Sequence, residues 1–136
     1  MTKKLIIHTD GGARGNPGSA GIGVMIKDDK GKEVKTIAKY LGRATNNQAE
    51  YQAVLAGIEA AIKLKATEVE FYLDSELVVK QLNREYKVKN LELQPLFVKV
   101  YNHSLKFKKI SFRHIRREQN KEADALANLA MDKGDN

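Results

Sequence analysis

Four carboxylic acids occupy comparable positions in the elements that this sequence predicts. They are Asp10 after the first strand, Glu50 at the start of a long helix, Asp74 after the fourth strand and Asp124 in the first turns of the last helix. Each acid has an ordinary explanation: a turn at Asp10, a helix dipole at Glu50, a helix cap at Asp74, a surface position at Asp124. However, all four acids lie at the ends of elements that could converge on one edge of a sheet. This combined placement favours a shared chemical role.

Glu50 carries the most information of the four. At helical spacing it shares a face with Val54, Ile58 and Ala61, and that face should pack on a sheet. A carboxylate at the buried edge of a helix is costly unless it is paired or binds a metal ion. The position therefore favours a ligand or a partner for Glu50.

The chemistry open to such a cluster follows from its ligand atoms. The chain has no cysteine and three histidines, and carboxylate oxygens favour Mg²⁺ or Mn²⁺ over Zn²⁺. Four carboxylates can hold two metal ions about 3.5–4 Å apart, a pair that activates water and stabilises the leaving oxygen of an in-line phosphoryl displacement. Because the carboxylates repel one another, we expect the site to be less stable without metal.

The elements that must position these acids alternate along the chain. Strands are predicted at Leu5–Asp10, Ile22–Lys27, Glu33–Leu41, Glu68–Leu73 and Lys108–Ile115. Helices are predicted from Asn46 or Asn47 to about Leu64, at Ser75–Asn83 and Leu91–Leu105, and from a cap at Asn120 to about Met131. Gly11–Gly23 holds six of the ten glycines and is predicted to be a loop, and Asp28–Gly31 a hairpin turn. This order indicates an α/β fold with a five-stranded mixed sheet flanked by helices.

Length and composition limit the class of protein. With 136 residues, the chain is expected to form a single domain over residues 1–136. The lack of cysteine excludes disulfides and a thiol nucleophile. No apolar run approaches the roughly 18 residues of a membrane helix, and the N-terminal pattern does not fit a signal peptide. We expect a cytoplasmic monomer with no membrane partner.

Basic residues are concentrated near the end of the chain. The segment 99–121 contains eight lysines and arginines and one acid, Glu118, so its net charge equals the +7 of the whole chain. Such a basic stripe is typical of a polyanion partner, and here favours nucleic acid. An ordinary charged surface is the alternative.

Four segments together match one family. Thr9–Gly23 reads TDGGARGNPGSAGIG, Thr45–Glu50 reads TNNQAE, Leu73–Ser75 reads LDS and Arg117–Ala127 reads REQNKEADALA. In order and spacing the sequence resembles type 1 ribonuclease H over essentially its whole length. The resemblance implies the ribonuclease H-like fold and an endonuclease that cuts the RNA strand of RNA–DNA hybrids, leaving 3′-hydroxyl and 5′-phosphate ends. It also implies two Mg²⁺ ions, for which Mn²⁺ can substitute.

The resemblance assigns roles to individual residues. Asp10, Glu50, Asp74 and Asp124 fall on the family's metal-binding acids, with Asp10 bridging both ions and Glu50 near the RNA 2′-hydroxyl, the group that distinguishes RNA from DNA. The residues implied to contact the substrate are Gly11, Gly12, Asn16, Asn46, Asn47, Ser75, Glu76, Lys80, Arg116 and Asn120. Helix capping is the alternative role for the two adjacent asparagines.

The sequence departs from well-studied members in two places. Asn83–Lys108 is too short for the basic protrusion of those members and lacks its tryptophans, which is typical of a shorter bacterial and archaeal branch. Binding of the hybrid would then depend on basic residues elsewhere, namely Lys80, Arg84, Lys87, Lys89 and the stripe at Lys106–Lys109. The second departure concerns the catalytic histidine that the family places about ten residues before its last aspartate.

His114 has that spacing, but it alternates with Ile110 and Phe112 and is therefore predicted to face the core. In the shorter branch that the sequence resembles, the matching motif has an arginine just before Glu-x-Asn, which here is Arg117. The resemblance therefore favours Arg117 over His114 for stabilising the phosphate or leaving group.

Three other functions stay open at this stage. The chain could be a non-catalytic hybrid-binding domain, although the complete set of acids argues against it. It could be a related nuclease such as a resolvase or transposase domain, which the TNNQAE segment disfavours. Double-stranded RNA could also be a substrate, and the sequence does not decide this.

Overall fold

A computed structural model describes residues 3–134 of the chain. The ends of the expected domain, residues 1–2 and 135–136, lie outside the described residues. The elements are β1 (Lys4–Gly15), β2 (Gly18–Asp28), β3 (Glu33–Ala44), α1 (Asn46–Lys63), β4 (Glu68–Leu73), α2 (Glu76–Leu82), α3 (Gln94–Ser104), β5 (Lys109–His114), a 3₁₀ turn at Arg117–Gln119 and α4 (Lys121–Gly134). No helix among them is long and apolar enough to cross a membrane.

The five strands form one sheet in the order β3-β2-β1-β4-β5. β1 and β3 each pair antiparallel with β2, whereas β4 pairs parallel with both β1 and β5. The expected five-stranded mixed sheet is confirmed. β1 and β4 run parallel and pair as far as His8 and Tyr72, so Asp10 and Asp74, each two residues further along the chain, are brought to the same part of the sheet.

Helices α1 and α4 both pack on the sheet, and they differ in composition. The larger apolar side chains of α1 pack on apolar strand residues, whereas the alanines of α4 pack on strand glycines. One core cluster joins α1 residues such as Val54 and Ile58 to Ile7 of β1 and Phe71 of β4. On α4 the buried residues are mainly alanines, and they pack against the glycines of β2. The face of α1 that carries Glu50 is buried as predicted.

The predicted loop at Gly11–Gly23 is wrong. β1 continues to Gly15 and β2 begins at Gly18, so only Asn16 and Pro17 connect the two strands. A β-carbon on Gly11 would lie 2.2 Å from the carbonyl oxygen of Ala49 in α1, and one on Gly23 would lie 2.1 Å from that of Ala123 in α4. These glycines are present because helix backbones approach the strands closely, not because the chain turns there.

Adding a methyl group at Gly23 should therefore destabilise the fold strongly. We expect Gly23→Ala to lower the free energy of unfolding by about 3 kcal/mol, because the clash is with backbone atoms that cannot rotate away. Gly12→Ala is the matched control, since the nearest atom to its β-carbon would be Met131 Cε at 3.7 Å. Urea denaturation of both variants measures the difference, and equal losses would contradict this packing role for Gly23.

The helix caps differ in part from the prediction. Thr45, not Asn46 or Asn47, caps α1: its side chain accepts from the Gln48 N–H, and the Gln48 side chain accepts from the Thr45 N–H. This reciprocal arrangement satisfies two backbone donors at once. Ser75 caps α2 by accepting from the Val78 N–H, so the capping role considered for Asp74 belongs to its neighbour.

Candidate active site

Three carboxylates from three separate elements meet at one point. Asp10 lies in β1, Glu50 in the first turns of α1, and Asp74 directly after β4. Each offers an oxygen, and these atoms all lie within 4.8 Å of one another. The Glu50 Oε1 atom accepts a hydrogen bond from the Gly11 N–H at 2.6 Å, which ties α1 to β1 beside Asp10. The fold thus forces acids that are far apart in sequence into mutual contact.

The fourth acid completes the lining of the same cavity. Asp124, in α4, lines a cavity of about 400 Å³ together with the other three carboxylates. Arg117 also lines it, and its Nη2 lies 3.7 Å from Asp124 Oδ1. The Arg117 side chain is 80% exposed, so it can reorient toward an anion in the cavity.

The electrostatics of the cluster show how unfavourable it is without a cation. Burial, and then the charge of Asp74, raise the pKa of Asp10 to about 7. Burial and the Asp10 charge also raise the pKa of Glu50, although the Gly11 N–H opposes this change. The raised pKa of both carboxyl groups indicates that the negative charge of the cluster is poorly compensated.

The donor set fits a divalent metal ion. Glu50 is only 6% exposed, and its Oε2 atom is buried with no hydrogen-bond partner among the described residues. A buried carboxylate oxygen without a partner is costly, and a cation is the partner that would satisfy it. All the converging atoms are carboxylate oxygens, the ligands that hard divalent cations prefer. The residues that would hold the ion are Asp10, Glu50 and Asp74, and Asp124 lines the same cavity.

The structure brings only some of the predicted substrate residues to the cavity. Those that line it are Gly11, Gly12, Asn46, Asn47 and Ser75. Asn16 is exposed and is not among the residues that line the cavity. Its Oδ1 accepts from the Asn46 N–H at 3.0 Å, while Asn46 Oδ1 accepts from the Ala13 N–H at 2.8 Å. These two bonds hold the β1–β2 hairpin against the start of α1.

The other predicted substrate residues lie outside the cavity lining. Glu76 and Lys80 lie one turn apart on α2, with Lys80 Nζ 5.0 Å from the centre of the Tyr86 ring. Arg116 is exposed beside Glu118. Asn120 is 1% exposed, and its side chain bonds to Thr9 and Asp74.

The structure corrects the predictions for Asn120 and His114. The Oδ1 atom of Asn120 has no hydrogen-bond partner among the described residues, so this side chain does not cap α4. His114 does not face the core: its side chain is 38% exposed, and its Nδ1 lies 3.9 Å from Glu76 Oε2. The reason is that His114 ends β5, an edge strand of the sheet.

The basic stripe of segment 99–121 is divided in space. Lys106, Lys108 and Lys109 lie at the start of β5, whereas Arg116 and Arg117 follow its end. A strand of this length separates the two groups by roughly 15–20 Å. Of these five residues, Arg117 alone lines the carboxylate cavity, which the linear sequence did not reveal.

Four residues that line the cavity were not predicted from the sequence: Ala13, Arg14, Asn128 and Met131. Arg14 lines it and pairs with Asp132 of α4 at 2.5 Å, and Asn128 and Met131 form part of its α4 wall. Asn128 lies four residues after Asp124, so helical periodicity could have identified it. Arg14 shares the alternation of Asp10 and Gly12, but this signal was hidden by the prediction of a loop.

The chain is similar to known proteins over almost its whole length. A family model described as reverse transcriptase-like matches residues 8–130. The ribonuclease H of Ruthia magnifica is 36% identical over 146 residues, which cover 96% of this chain and 97% of that protein. A bifunctional protein of Mycobacterium tuberculosis is 43% identical over 130 residues, or 95% of this chain but 36% of the relative, so the chain spans about a third of that relative's length.

A solved structure agrees in detail with the fold. The crystal structure of LC11-RNase H1, an enzyme isolated from compost, in complex with an RNA/DNA hybrid superposes with a TM-score of 0.92 at 43% identity, covering 97% of this chain and 99% of that one. Agreement of this extent in both sequence and backbone shows that the chain belongs to the type 1 ribonuclease H family.

Proposed function

We propose that this chain is an endoribonuclease that hydrolyses the RNA strand of RNA–DNA hybrids, acting as a single domain over residues 1–136. The observation that carries the proposal is the convergence of Asp10, Glu50 and Asp74, with ligand oxygens within 4.8 Å of one another, in a cavity that Asp124 also lines. The match to a ribonuclease H1 whose structure contains a hybrid supports the substrate class.

The cofactor in this proposal is a pair of Mg²⁺ ions, with Mn²⁺ as a substitute. Such ions, when bound, supply water activation and neutralise charge on the phosphate and the leaving oxygen. The chain's own residues position the oxygen atoms that would bind these ions. The Gly11 N–H fixes Glu50 through Oε1, which leaves Oε2 free to act as a ligand, and the Asp10 carboxylate faces both Glu50 and Asp74.

The groups around the cavity are suited to orienting the hybrid. Gly11, Gly12, Asn46, Asn47 and Ser75 all line the cavity. We assign to these groups the contacts that place the RNA 2′-hydroxyl and the scissile phosphate, so that displacement at phosphorus releases 3′-hydroxyl and 5′-phosphate ends. Contacts of this kind depend on shape, so cleavage should show weak sequence preference.

A panel of strand-labelled substrates tests the substrate class. With Mg²⁺, we expect the chain to cut the RNA strand of a hybrid and to leave its DNA strand and duplex DNA intact. Cutting of duplex RNA at a rate near that of the hybrid would favour the broader ribonuclease. Binding of the hybrid without any cutting would favour a non-catalytic binding domain and contradict the proposal.

Arg117 should matter more than His114 for the chemical step. Arg117 lines the carboxylate cavity, whereas His114 pairs with Glu76 outside it. A cation that stabilises charge on the reacting phosphate is worth about 100-fold in rate, so we expect Arg117→Gln to lower kcat by roughly that factor and to change KM little. His114→Gln serves as the comparison and should change kcat less than about threefold. Steady-state kinetics on a labelled hybrid would reverse the assignment if His114→Gln gave the larger loss.

A further inference from the structure

The Asn120 side chain lies at the junction of three elements that carry carboxylates. It is 1% exposed, and its Nδ2 donates to the carbonyl oxygen of Thr9, next to Asp10 in β1, at 2.9 Å and to Asp74 Oδ2 at 3.3 Å. Its backbone carbonyl accepts from the Asp124 N–H of α4 at 3.1 Å. A single buried residue therefore connects β1, the end of β4 and the start of α4.

The orientation of the Asn120 amide is fixed by its partners. Both neighbours of Nδ2 are acceptors, so a flipped amide would place Oδ1 against two other oxygens. In the observed orientation Oδ1 is buried without a hydrogen-bond partner among the described residues. An unpaired buried oxygen is unfavourable, which indicates that this residue is present for its two N–H donors and not for stability alone.

The position of Asn120 does not fit direct contact with a substrate. Its side chain is buried, and it is not among the residues that line the carboxylate cavity. Asp74, in contrast, lines that cavity and offers an oxygen to the cluster. What Asn120 can influence is the orientation of the Asp74 carboxylate.

We propose that Asn120 is a positioning residue, which holds the Asp74 carboxylate in the orientation that binds a divalent cation. The Thr9 carbonyl anchors one N–H of the amide, and the other N–H reaches Asp74, so the carboxylate is fixed relative to β1 and hence to Asp10. This inference rests on the proposed function, since it concerns the same site. Partners that orient metal-binding side chains in this way typically change metal affinity by about 10–100-fold when they are removed.

Metal titration without nucleic acid tests the proposal directly. The readout is the Mg²⁺ concentration at the midpoint of the metal-induced rise in Tm, measured for the wild type, Asn120→Ala and Asn120→Ser. We expect Asn120→Ala to raise this midpoint at least about tenfold, and Asn120→Ser, which keeps one donor, to raise it less. Should Asn120→Ala fail to fold, Asn120→Ser gives the same comparison.

Gln81→Ala is the matched control for loss of a buried amide. Gln81 is 6% exposed, and its Oε1 accepts from the Tyr51 hydroxyl at 2.8 Å; neither residue lines the carboxylate cavity. This variant should lower the metal-free Tm but leave the Mg²⁺ midpoint within about twofold of the wild type, because it alters no group that orients a ligand. A midpoint for Asn120→Ala or Asn120→Ser that equals the wild type would overturn the proposal.

Kinetics separate positioning from substrate contact. For Asn120→Ala we expect a lower kcat at low Mg²⁺ that recovers as Mg²⁺ is raised, with KM for the hybrid within about twofold of the wild type. A raised KM with an unchanged Mg²⁺ midpoint would instead show that Asn120 contacts the substrate, and would overturn the inference. If the wild type binds Mg²⁺ but cuts no hybrid, the proposed function fails, while the midpoints still decide the role of Asn120.

Discussion

Asp10→Asn is expected to reduce cleavage of the RNA strand at least about 1,000-fold while the hybrid is still bound. Asp10 faces both Glu50 and Asp74 within the cluster, so its loss removes charge that the neighbouring ligands cannot replace. Charge stabilisation by bound metal ions contributes several kcal/mol to such reactions, and about 4 kcal/mol corresponds to this factor. Single-turnover cleavage of a labelled hybrid measures the loss, and hybrid binding is measured in parallel.

The control for this prediction is the same aspartate-to-asparagine substitution at a position outside the site. Asp29→Asn alters an exposed residue of the β2–β3 turn and should leave the cleavage rate within about twofold of the wild type, as surface substitutions usually do. Metal-dependent cleavage by Asp10→Asn at a rate near that of Asp29→Asn would remove Asp10 from the mechanism.

The metal-free protein should become less stable as pH rises from about 4 to about 7. The pKa of Asp10 is raised from 3.8 to about 7 in the folded chain, so across this window the folded state keeps a proton that the unfolded state has released. The free energy of unfolding therefore falls as pH rises, and the loss is complete above pH 7. At about 1.4 kcal/mol per pKa unit, the effect is on the order of 2–4 kcal/mol.

Urea denaturation in EDTA at pH 5 and pH 8 measures this effect. Asp10→Asn lacks the titrating group, so at pH 8 it should be more stable than the metal-free wild type, and the two should converge at pH 5. Added Mg²⁺ should restore stability to the wild type at pH 8 and do so less in the variant. If the wild type and Asp10→Asn had the same pH dependence in EDTA, the repulsion assigned to this cluster would be wrong.

The carboxylates were predictable from sequence because each one interrupts a strong local pattern. Glu50 interrupts an apolar helix face, and Asp10 and Asp74 each follow an apolar run, Leu5–Ile7 in β1 and Phe71–Leu73 in β4. A carboxylate at these positions was therefore conspicuous in the sequence alone. The order of strands and helices was likewise confirmed, since their periodicities of two and 3.6 residues are local properties.

What the sequence did not reveal depends on contacts between distant residues. The glycines from Gly11 to Gly23 indicated a loop, yet Gly11 and Gly23 lie in strands because the backbones of α1 and α4 pack on them. In the same way Asn120 has the residue type and position of a helix cap, but its partners, Thr9 and Asp74, are far away in the chain. Local propensity cannot distinguish these cases, because the competing interaction exists only in the folded state.

The most direct test of the central claim is the metal dependence of hybrid cleavage. The RNA strand of a hybrid is end-labelled and incubated with the chain in EDTA, in Mg²⁺ and in Mn²⁺, beside the variants Glu50→Gln and Asp74→Asn. We predict cleavage by the wild type only with a divalent ion, with 3′-hydroxyl and 5′-phosphate ends, and loss of cleavage in both variants. Cleavage in EDTA, or undiminished cleavage by either variant, would contradict the assignment of this chemistry to the carboxylate cluster.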